Sequence, residues 1–318
     1  MKEDKKKLLA RVAYMYYEQE LTQAQIAKEL ALYRTTVSRM LSQAKKEGIV
    51  EIKLNHFDGA LFELEEQIKR TFDLTAVEIV PNDANASEAA KEEQLSAAAG
   101  AFLRRQFVDG MVVGVSWGAS VGNAVNQIDP KQLTDVSVVP VVGGPSHINS
   151  RYHVNTLVYE LARKLNGNSL FVNATVIQES QELAAGIFNS KYFHELREYW
   201  QRLDLVIVGV GGPLSYRKSQ WRDLLSPEDY EELRLREAIG DCCCRFYDDS
   251  GKLLKGSLDQ RTIGLPLTEL AKVPQAIGIA RGTSKARSIL PLLKKGYLKT
   301  LITDQETAQE VLRLSQRK

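Results

Sequence analysis

The feature that most restricts the fold of this chain is a regular alternation of apolar runs and helical patterns that begins at Ala76. Apolar runs of strand length lie at 76–80, 111–117, 136–142, 169–176, 204–210, 238–246, 275–280 and 300–303. Helical patterns separate most of them, at 87–105, 119–127, 155–165, 190–201, 284–294 and 306–315. Continuous apolar strands alternating with helices predict an α/β fold with a mostly parallel sheet covered on both faces. Such sheets bind ligands at the C-terminal ends of their strands.

Three of these strands lead into loops that are rich in glycine and serine. The loops occur in VVGVSWGAS (112–120), VVPVVGGPS (138–146) and LVIVGVGGP (205–213). Glycine permits tight turns, and the helix N-terminus that follows exposes amides that suit a phosphate or sugar hydroxyls. Turn geometry alone would explain the glycines of any one of these loops. Three such loops in one domain favour a binding crevice. None has the spacing of a P-loop or of a dinucleotide-binding turn.

Two charged residues are further candidates for ligand contacts. Asp241 lies in the strand-like run IGDCCCRFYD, and Lys285 lies in the first turn of the helix predicted in IARGTSKARSIL. A carboxylate accepts hydrogen bonds from sugar hydroxyls, and a lysine can neutralise a phosphate. From spacing alone, a helix-cap aspartate and a surface lysine are the simpler interpretation, so both alternatives stay open at this point.

Residues typical of catalytic or metal sites are scarce. The four histidines are His56, His147, His153 and His194. They have no HxH or HxxxH spacing that would bind a metal. The cysteines at 242–244 are predicted to be small buried residues of one strand, where neighbours point to opposite faces. GVSWG around Ser116 has the letters of a nucleophile elbow, but no histidine sits at a strand end to complete a triad. The sequence therefore predicts no catalytic site, no metal and no cofactor.

The first 55 residues have the pattern of three helices and a short strand. Helices are predicted over 7–17, over 23–30 with Thr22 as N-cap, and over 34–46, and a strand over 49–54. The inward-facing residues are predicted to be Leu8, Val12, Met15, Tyr16, Ile26, Ala27, Leu30, Val37, Met40, Leu41 and Ala44. This pattern is typical of a winged helix-turn-helix. The segment holds eleven Lys and Arg against seven Asp and Glu, a surplus that suits phosphates.

Residues 57–72 carry a stripe of apolar side chains among charges, at Leu61, Leu64, Ile68 and Phe72. The stripe fits either docking on the next domain or pairing with a second copy as a short coiled coil. The chain is therefore divided into a DNA-binding domain (1–55), a linker helix (56–74) and an effector-binding domain (75–318). The charged N-terminus is unlike a signal peptide, and no apolar run reaches the roughly 18–20 residues that span a bilayer. These features favour a cytoplasmic protein without a membrane partner.

Taken together, these motifs resemble the SorC family of bacterial sugar-responsive transcriptional regulators, over nearly the whole chain. The matching segments at the DNA-binding end are TQAQIAKEL, RTTVSRML and KEGIVEI. Those of the effector domain are GVSWGASV, VVPVVGGPS, DLVIVGVGG, AIGDCCCRFYD and GIARGTSKARSILPLLKKGYLKTLITD. The resemblance implies a tetrameric repressor or activator with a Rossmann-like effector domain. That domain is related in fold to sugar-phosphate isomerases and aminosugar-phosphate deaminases, but lacks their catalysis.

The resemblance also implies which residues contact the effector. For Asp241 and Lys285 it favours ligand contacts over the simpler interpretation as a helix cap and a surface lysine. The implied contacts are Ser116, Trp117, Gly118, Ser120, Gly144, Asn155, Gly211, Asp241 and Lys285. Some family members have threonine where this chain has Ser116 or Ser120. Serine keeps the hydroxyl donor, so phosphate binding survives, whereas the identity of the effector becomes less certain.

In a helix-turn-helix, the N-terminal part of the third helix enters the major groove. The residues expected to face DNA are Arg34, Thr35, Thr36, Ser38, Arg39, Lys45 and Lys46. Arginine suits bidentate contact with guanine, and threonine suits a phosphate or a thymine methyl group. The two lysines at the helix end are expected to meet phosphates.

The leading hypothesis is a regulator, and not an enzyme, that binds double-stranded operator DNA of a sugar-utilisation operon of sorbose or sorbitol type. A sugar or sugar phosphate would control it, and it would act as a homo-oligomer, a tetramer first and a dimer second. The alternative is an active sugar-phosphate isomerase or deaminase with an accessory DNA-binding domain. That enzyme would need an acid and a base at the substrate carbons, whereas the strand ends offer mostly glycine, serine and asparagine.

Overall fold

The computed structural model describes residues 2–52, 58–145, 150–214 and 224–317 of the 318-residue chain. The chain divides into two compact units, Met1–Asp58 and Gly59–Lys318. Within the described ranges, no helix is both long enough and apolar enough to cross a bilayer.

The first unit contains three helices, α1 (Lys2–Tyr17), α2 (Gln23–Glu29) and α3 (Arg34–Lys46). Its buried apolar side chains are Leu9, Val12, Ala13, Met15, Ile26, Ala27, Val37, Leu41 and Ala44. The periodicity therefore predicted the inward faces of α2 and α3 correctly. On α1 it was wrong for Leu8 and Tyr16, which are exposed. The buried face of this helix runs instead through Leu9 and Ala13, which pack against Ala44 of α3.

Thr22 caps α2 as predicted. Its Oγ1 accepts a hydrogen bond from the Gln25 N–H at 3.3 Å, and its own N–H donates to Gln25 Oε1 at 2.9 Å. This reciprocal pair is a capping box, which satisfies two amides that the helix leaves without partners. The chain then turns at Ala31, whose φ of 52° is left-handed, and the Leu32 N–H donates to the Ala27 carbonyl at 2.8 Å. A four-residue turn thus joins α2 to α3.

The strand predicted over 49–54 is not formed by the residues described there. Residues 49–52 are bends and irregular structure, and 53–54 lie outside the described residues. The N–H groups of Ile49 and Val50 donate to the Ala44 carbonyl at 2.9 and 3.3 Å. Their side chains pack on the cluster of Leu9, Ala13 and Ala44, so these two residues close the helical core instead of starting a wing.

The second unit begins with α4 (Gly59–Phe72), the helix predicted as a linker. Ile68 and Phe72 are buried in the core of the second unit, and Leu61 and Leu64 are partly buried against it. Glu65 Oε1 accepts the Ile79 N–H at 2.8 Å, and burial of this carboxyl raises its pKa. The apolar stripe is therefore covered by the chain's own core, which is the docking alternative and not the coiled coil.

The described residues that follow form nine strands, and seven of them make one parallel sheet in the order β1–β9–β8–β5–β2–β3–β4. The strands are β1 (Ala76–Val80), β2 (Val112–Val115), β3 (Ser137–Pro140), β4 (Asn168–Ser169), β5 (Leu205–Gly209), β6 (Gly240–Cys242), β7 (Arg245–Tyr247), β8 (Gln275–Ile279) and β9 (Thr300–Asp304). The chain runs outward from β2 through β3 to β4 and then returns to β5, on the other side of β2. The strand order therefore reverses between β2 and β5.

Helices connect the strands and pack on the sheet, as the alternating pattern predicted. They are α5 (Glu88–Gln106), α6 (Ala119–Gln127), α7 (Val154–Leu165), α8 (Gln181–Phe188), α9 (Lys191–Trp200), α10 (Pro227–Leu235), α11 (Ser257–Arg261), α12 (Leu267–Leu270), α13 (Ala286–Lys294) and α14 (Gln305–Ser315). The sequence pattern missed α8, α10, α11 and α12, which are short. It also placed a full strand over 169–176, where only two residues pair with β3.

The run 238–246 was predicted as one strand and is an antiparallel hairpin of β6 and β7. Cys243 and Cys244 form its two-residue turn, with φ of 51° and 58°. The cysteines are buried as predicted, but only Cys242 is a strand residue.

Candidate effector site and DNA-binding surface

A cavity of about 420 Å³ opens at the C-terminal ends of β2 and β5, where the strand order reverses. This is the position at which open α/β sheets bind ligands, because the loops on the two sides of the reversal diverge and leave a crevice. Its volume lies within the usual range for small-molecule sites, roughly 300–1,000 Å³. Loops after β2, β5 and β8, the hairpin β6–β7 and the helices α5 and α6 supply the walls.

The loop after β2 forms one wall and leads into α6. Gly118 is the N-cap of α6 with φ of 116°, and it has no side chain to bond the first amides of the helix. Those N–H groups lack intrahelical acceptors and lie at the positive end of the helix, so the wall favours an anion or hydroxyl oxygens. Ser116 is fixed below the loop, since its Oγ accepts the Gly209 N–H at 3.4 Å. Trp117 is held by its Nε1–H, which donates to the Gly143 carbonyl at 2.9 Å.

Asp241 reaches the cavity from strand β6. It pairs with Gly211 as an antiparallel bridge, and the Gly211 N–H donates to the Asp241 carbonyl at 2.8 Å. A Cβ on Gly211 would lie 2.0 Å from Asp241 Oδ1, so only glycine lets the carboxylate occupy this place. The residue is 5% exposed and lines the cavity. A carboxylate in this position can accept hydrogen bonds from two ligand hydroxyls.

Two cationic side chains from the segment after strand β8, Arg281 and Lys285, line the cavity. Lys285 is the N-cap residue of α13 and ends a short 3-10 turn, Thr283–Lys285. Arg281 binds three carboxylates, with Nη2 at 2.8 Å from Glu88, Nη1 at 3.5 Å from Glu92 and Nε at 3.6 Å from Asp304. Burial lowers the pKa of Arg281, but these carboxylates outweigh it and raise the pKa, so the guanidinium stays charged.

A chain of polar side chains continues from Arg281 along the cavity wall. Glu92 Oε1 accepts a hydrogen bond from Asn123 Nδ2 at 3.5 Å, and Asn123 Oδ1 accepts from the Tyr152 hydroxyl at 3.3 Å. All four residues line the cavity. The wall thus holds donors and acceptors in fixed orientation, as a polyhydroxylated ligand requires.

The exposed face of α3 in the first unit is polar and basic. Arg34, Thr35, Ser38 and Arg39 are exposed and Thr36 is half-buried, opposite the buried apolar side of the helix. At the end of the helix, Lys45 and Lys46 are also exposed, and Lys45 Nζ lies 5.9 Å from the centroid of the Tyr17 ring. The predicted DNA-facing residues are therefore on one accessible side of a helix that a short turn joins to α2.

Comparison with known proteins matches residues 58–313 to the Sugar-bind family, a sugar-binding domain. The sorbitol operon regulator of Klebsiella pneumoniae is 36% identical over 312 residues, which cover 96% of this chain and 98% of that protein. The chain belongs to the SorC family. The full-length crystal structure of the sorbitol operon regulator SorC from Klebsiella pneumoniae covers 97% of the chain, with 99% of its own length matched, at 34% identity and a TM-score of 0.76. A transcriptional regulator from Streptococcus pneumoniae TIGR4 covers 82% of the chain and matches over its full length, at 40% identity and a TM-score of 0.79.

The fold brings seven of the nine effector residues implied by the SorC resemblance to one cavity. They are Ser116, Trp117, Gly118, Ser120, Gly211, Asp241 and Lys285. These residues come from four segments that are far apart in sequence, so the sheet, and not local spacing, gathers them.

Gly144 and Asn155 are not among the described residues that line the cavity, so their contact with the effector stays a prediction. Asn155 Nδ2 donates to the Val172 carbonyl at 2.9 Å, and its Oδ1 accepts the Val172 N–H at 3.0 Å. Both polar ends of the amide thus hold the segment after β4. A Cβ on Gly144 would lie 2.5 Å from His153 Nε2, so Gly144 makes room for this imidazole. Burial lowers the pKa of His153.

Sequence reasoning missed several residues with accessible functional groups. In the cavity these are Glu92, Asn123, Tyr152 and Arg281. Only Arg281 had a local signal, because it lies in the same glycine-rich segment as Lys285. In the first unit, the aromatic ring of Tyr33 is 83% exposed immediately before α3. Its position beside Arg34 makes it a candidate DNA contact.

Proposed function

We propose that this chain is a transcriptional regulator that binds operator DNA and responds to a phosphorylated sugar bound in the cavity between β2 and β5. The relatives that cover the chain are named as regulators, among them a sorbitol operon regulator and a deoxyribonucleoside regulator. The operon would be of the sorbose or sorbitol type. Since operator DNA lies in the bacterial cytoplasm, the protein would act there.

The observation that carries this proposal is the arrangement of charge in the cavity. The uncapped N-terminus of α6 and the ammonium of Lys285 meet the same space, and both favour an anion. Asp241 meets it too and favours hydroxyl donors. A ligand with an anionic group at one end and several hydroxyl groups at the other satisfies all three. A sugar phosphate has this chemistry.

An active isomerase or deaminase is the weaker alternative. Such an enzyme needs an acid and a base that are free to exchange protons with the substrate carbons. Glu92, a carboxylate in the cavity wall, is held by Arg281 and Asn123. The named relatives are regulators and not enzymes, which supports the same conclusion.

A ligand screen with the full-length protein tests the proposal. The probes are sorbitol, sorbose, fructose and the phosphates of each, with inorganic phosphate as the control for the anion alone. We expect at least one sugar phosphate to stabilise the protein, since a ligand at 100 times its Kd contributes about 2.7 kcal/mol to the free energy of unfolding. The same compound should change operator affinity in a fluorescence anisotropy titration. Turnover of a sugar phosphate would support the enzyme instead, and a lack of stabilisation by every probe would contradict the proposal.

The DNA-binding part of the proposal rests on α3. Its exposed face presents two arginines, two threonines and a serine, which suit base edges and phosphates, and Tyr33 extends this face at its start. One helix of this kind reads only a short half-site. A regulator therefore gains affinity and specificity by presenting two or more such helices together.

We expect a homo-oligomer, with a tetramer first and a dimer second. The stripe on α4 packs against the chain's own core, which leaves less of its apolar surface for a contact with a second copy. Large apolar side chains remain exposed on α7, α8, α9 and the segment after β4, and these are Tyr159, Phe171, Leu183 and Tyr192. The Tyr192 hydroxyl donates to the Phe171 carbonyl, so the side chain of Tyr192 reaches the backbone of the segment after β4.

Light scattering of the wild type and of Tyr159→Glu tests this assembly. A buried glutamate is costly, so the variant should shift the protein to a smaller species at micromolar concentration. Leu235→Glu is the matched control, because Leu235 is also an exposed apolar side chain but lies on α10. A wild type that is monomeric yet binds operator with full affinity would contradict the oligomer.

A further inference from the structure

The turn of the hairpin β6–β7 has an unusual backbone for its residues. Two-residue hairpin turns with positive φ at both positions are built from Asn, Asp and Gly, because these residues tolerate the left-handed region. Here Cys243 and Cys244 hold φ of 51° and 58°. Other side chains are strained in this conformation. Such strain persists only where the surrounding structure enforces it, and it collects at functional sites.

The structure around the turn fixes it firmly. The Arg245 guanidinium donates to the carbonyls of Asp259, Thr262 and Gly264 at 2.6, 3.1 and 2.8 Å, and to the Asp259 carboxylate at 2.7 Å. Tyr247 is fully buried, and its hydroxyl donates to the Ser288 carbonyl at 2.8 Å. A rigid hairpin can therefore hold its tip in place against the backbone strain.

The tip of this hairpin is part of the cavity wall. Both Cys243 and Cys244 line the cavity, two and three residues beyond Asp241 on the same hairpin, and each is only 5% exposed. On its outer side the tip is packed tightly, since a Cβ on Gly264 would lie 3.0 Å from the Cys243 carbonyl. A thiol is a poor hydrogen-bond donor and acceptor and behaves as a small apolar group. The tip thus adds a weakly polar surface to the cavity wall, along with the apolar residues Val142 and Val210 that also line it.

We propose that the hairpin tip, Cys243–Cys244, selects among effectors by facing their carbon skeleton with thiols, which bond a hydroxyl only weakly. This inference rests on the proposed function of the cavity. A ligand that places C–H groups at the tip gives up no hydrogen bonds on binding. A ligand that places a hydroxyl there gives up the hydrogen bonds that this hydroxyl made with water, so its affinity is lower. A site in which the wrong ligand leaves a polar group without a hydrogen-bond partner discriminates between ligands more strongly than a site that only excludes ligands by size.

Two substitutions of Cys244 separate chemistry from backbone strain. Cys244→Ser keeps the size of the side chain but adds a hydroxyl that can bond, so the preference should move about tenfold toward ligands with a hydroxyl at this position. Cys244→Gly removes the side chain and relieves the left-handed strain, so selectivity should fall about tenfold while the melting temperature rises by roughly 2 °C. Glu237→Gly is the matched control. Glu237 also has a positive φ, 55°, but is exposed outside the cavity, so this change should raise stability and leave selectivity unchanged.

The measurement is the ratio of Kd values by calorimetry for the phosphates of sorbitol, sorbose, fructose and deoxyribose, with full-length protein. Unchanged ratios in both Cys244 variants, with normal binding by the wild type, would overturn this inference alone. A wild type that binds none of the four phosphates would overturn the proposed function, and this inference with it.

Thiol alkylation gives a second measurement that needs no variant. The hydrogen bond to Cys243 and complete burial raise the pKa of Cys242, so iodoacetamide should leave this thiol unmodified. Cys243 and Cys244 are 5% exposed and line the cavity, so they should react slowly, and a saturating bound sugar phosphate should slow their reaction about tenfold more. Fragment masses distinguish the three neighbours. Equal rates with and without a ligand that the wild type binds would count against a contact at the tip.

Discussion

Replacing Arg39 by alanine is expected to lower operator affinity about ten- to a hundredfold. Arg39 is exposed on the polar face of α3, beside Ser38 and on the side opposite Leu41. In a major groove, an arginine at this place bonds guanine in a bidentate manner, and such a pair contributes about 1–3 kcal/mol of discrimination. Anisotropy titrations on operator and on scrambled DNA measure the loss, which should be larger on operator.

Arg11→Ala is the matched control, because it removes the same charge from the exposed side of α1 in the same compact unit. Operator affinity should fall far less in this variant. Arg34→Ala should relax base preference at one position of the site, whereas Lys46→Ala should weaken all sequences alike. An equal loss in the Arg11 and Arg39 variants would mean that charge alone, and not the placement of α3, governs binding.

Salt dependence separates the phosphate contacts from the base contacts. Each neutralised phosphate contributes about −0.9 to the slope of log affinity against log salt concentration. Lys46→Ala should therefore make the slope shallower by about one. An arginine that bonds only base edges should change affinity at every salt concentration without changing the slope.

The α/β fold was predictable from the sequence because its signal is long and periodic. A parallel sheet needs continuous apolar strands, and these stand out between amphipathic helices. The cap at Thr22 was predictable for another reason, since a capping box involves only residues three apart. Both features depend on local order in the chain.

The errors concern residues whose place depends on distant partners. Residues 238–246 form an unbroken apolar run, and no Asn-Gly pair marks the turn at Cys243 and Cys244. The hairpin exists because the anchors of Arg245, from Asp259 to Gly264, hold it closed. Ile49 is an exception, because the alternation over 49–54 predicted a strand, whereas its amide bonds to the nearby Ala44 carbonyl.

The cavity was predictable only in part. Strand ends with glycine indicated the right edge of the sheet, and the family resemblance supplied Asp241 and Lys285. The polar wall of Glu92, Asn123 and Arg281 carried no such signal, because α5, α6 and the loop after β8 meet only in the folded chain. The role of Asn155 stays a prediction, since its amide bonds the Val172 backbone and an amide can bond backbone as readily as it bonds a sugar.

Asp241→Ala and Lys285→Ala are expected to bind operator as the wild type does and to need about ten- to a hundredfold more effector to respond. Both residues line the cavity, and neither lies in the compact unit that carries α3. Loss of a hydrogen bond to a charged group contributes about 1.5–3 kcal/mol, which corresponds to this change in Kd. Asp241→Asn keeps the shape of the side chain beside Gly211 and should also need more effector to respond. This variant therefore separates the loss of charge from the loss of packing.

The two variants should differ in which ligands they weaken. The ammonium of Lys285 acts on the anion, so Lys285→Ala should weaken sugar phosphates strongly and free sugars little. Asp241 accepts hydroxyl hydrogen bonds, so Asp241→Ala should weaken both to a similar degree. Asp249→Ala and Lys272→Ala are the controls, because both residues carry the same charges at exposed positions that do not line the cavity. If the Lys285 variant lost the same affinity for phosphorylated and free sugars, the anion would not contact Lys285. The N-terminus of α6 would then be the next candidate for the anion site.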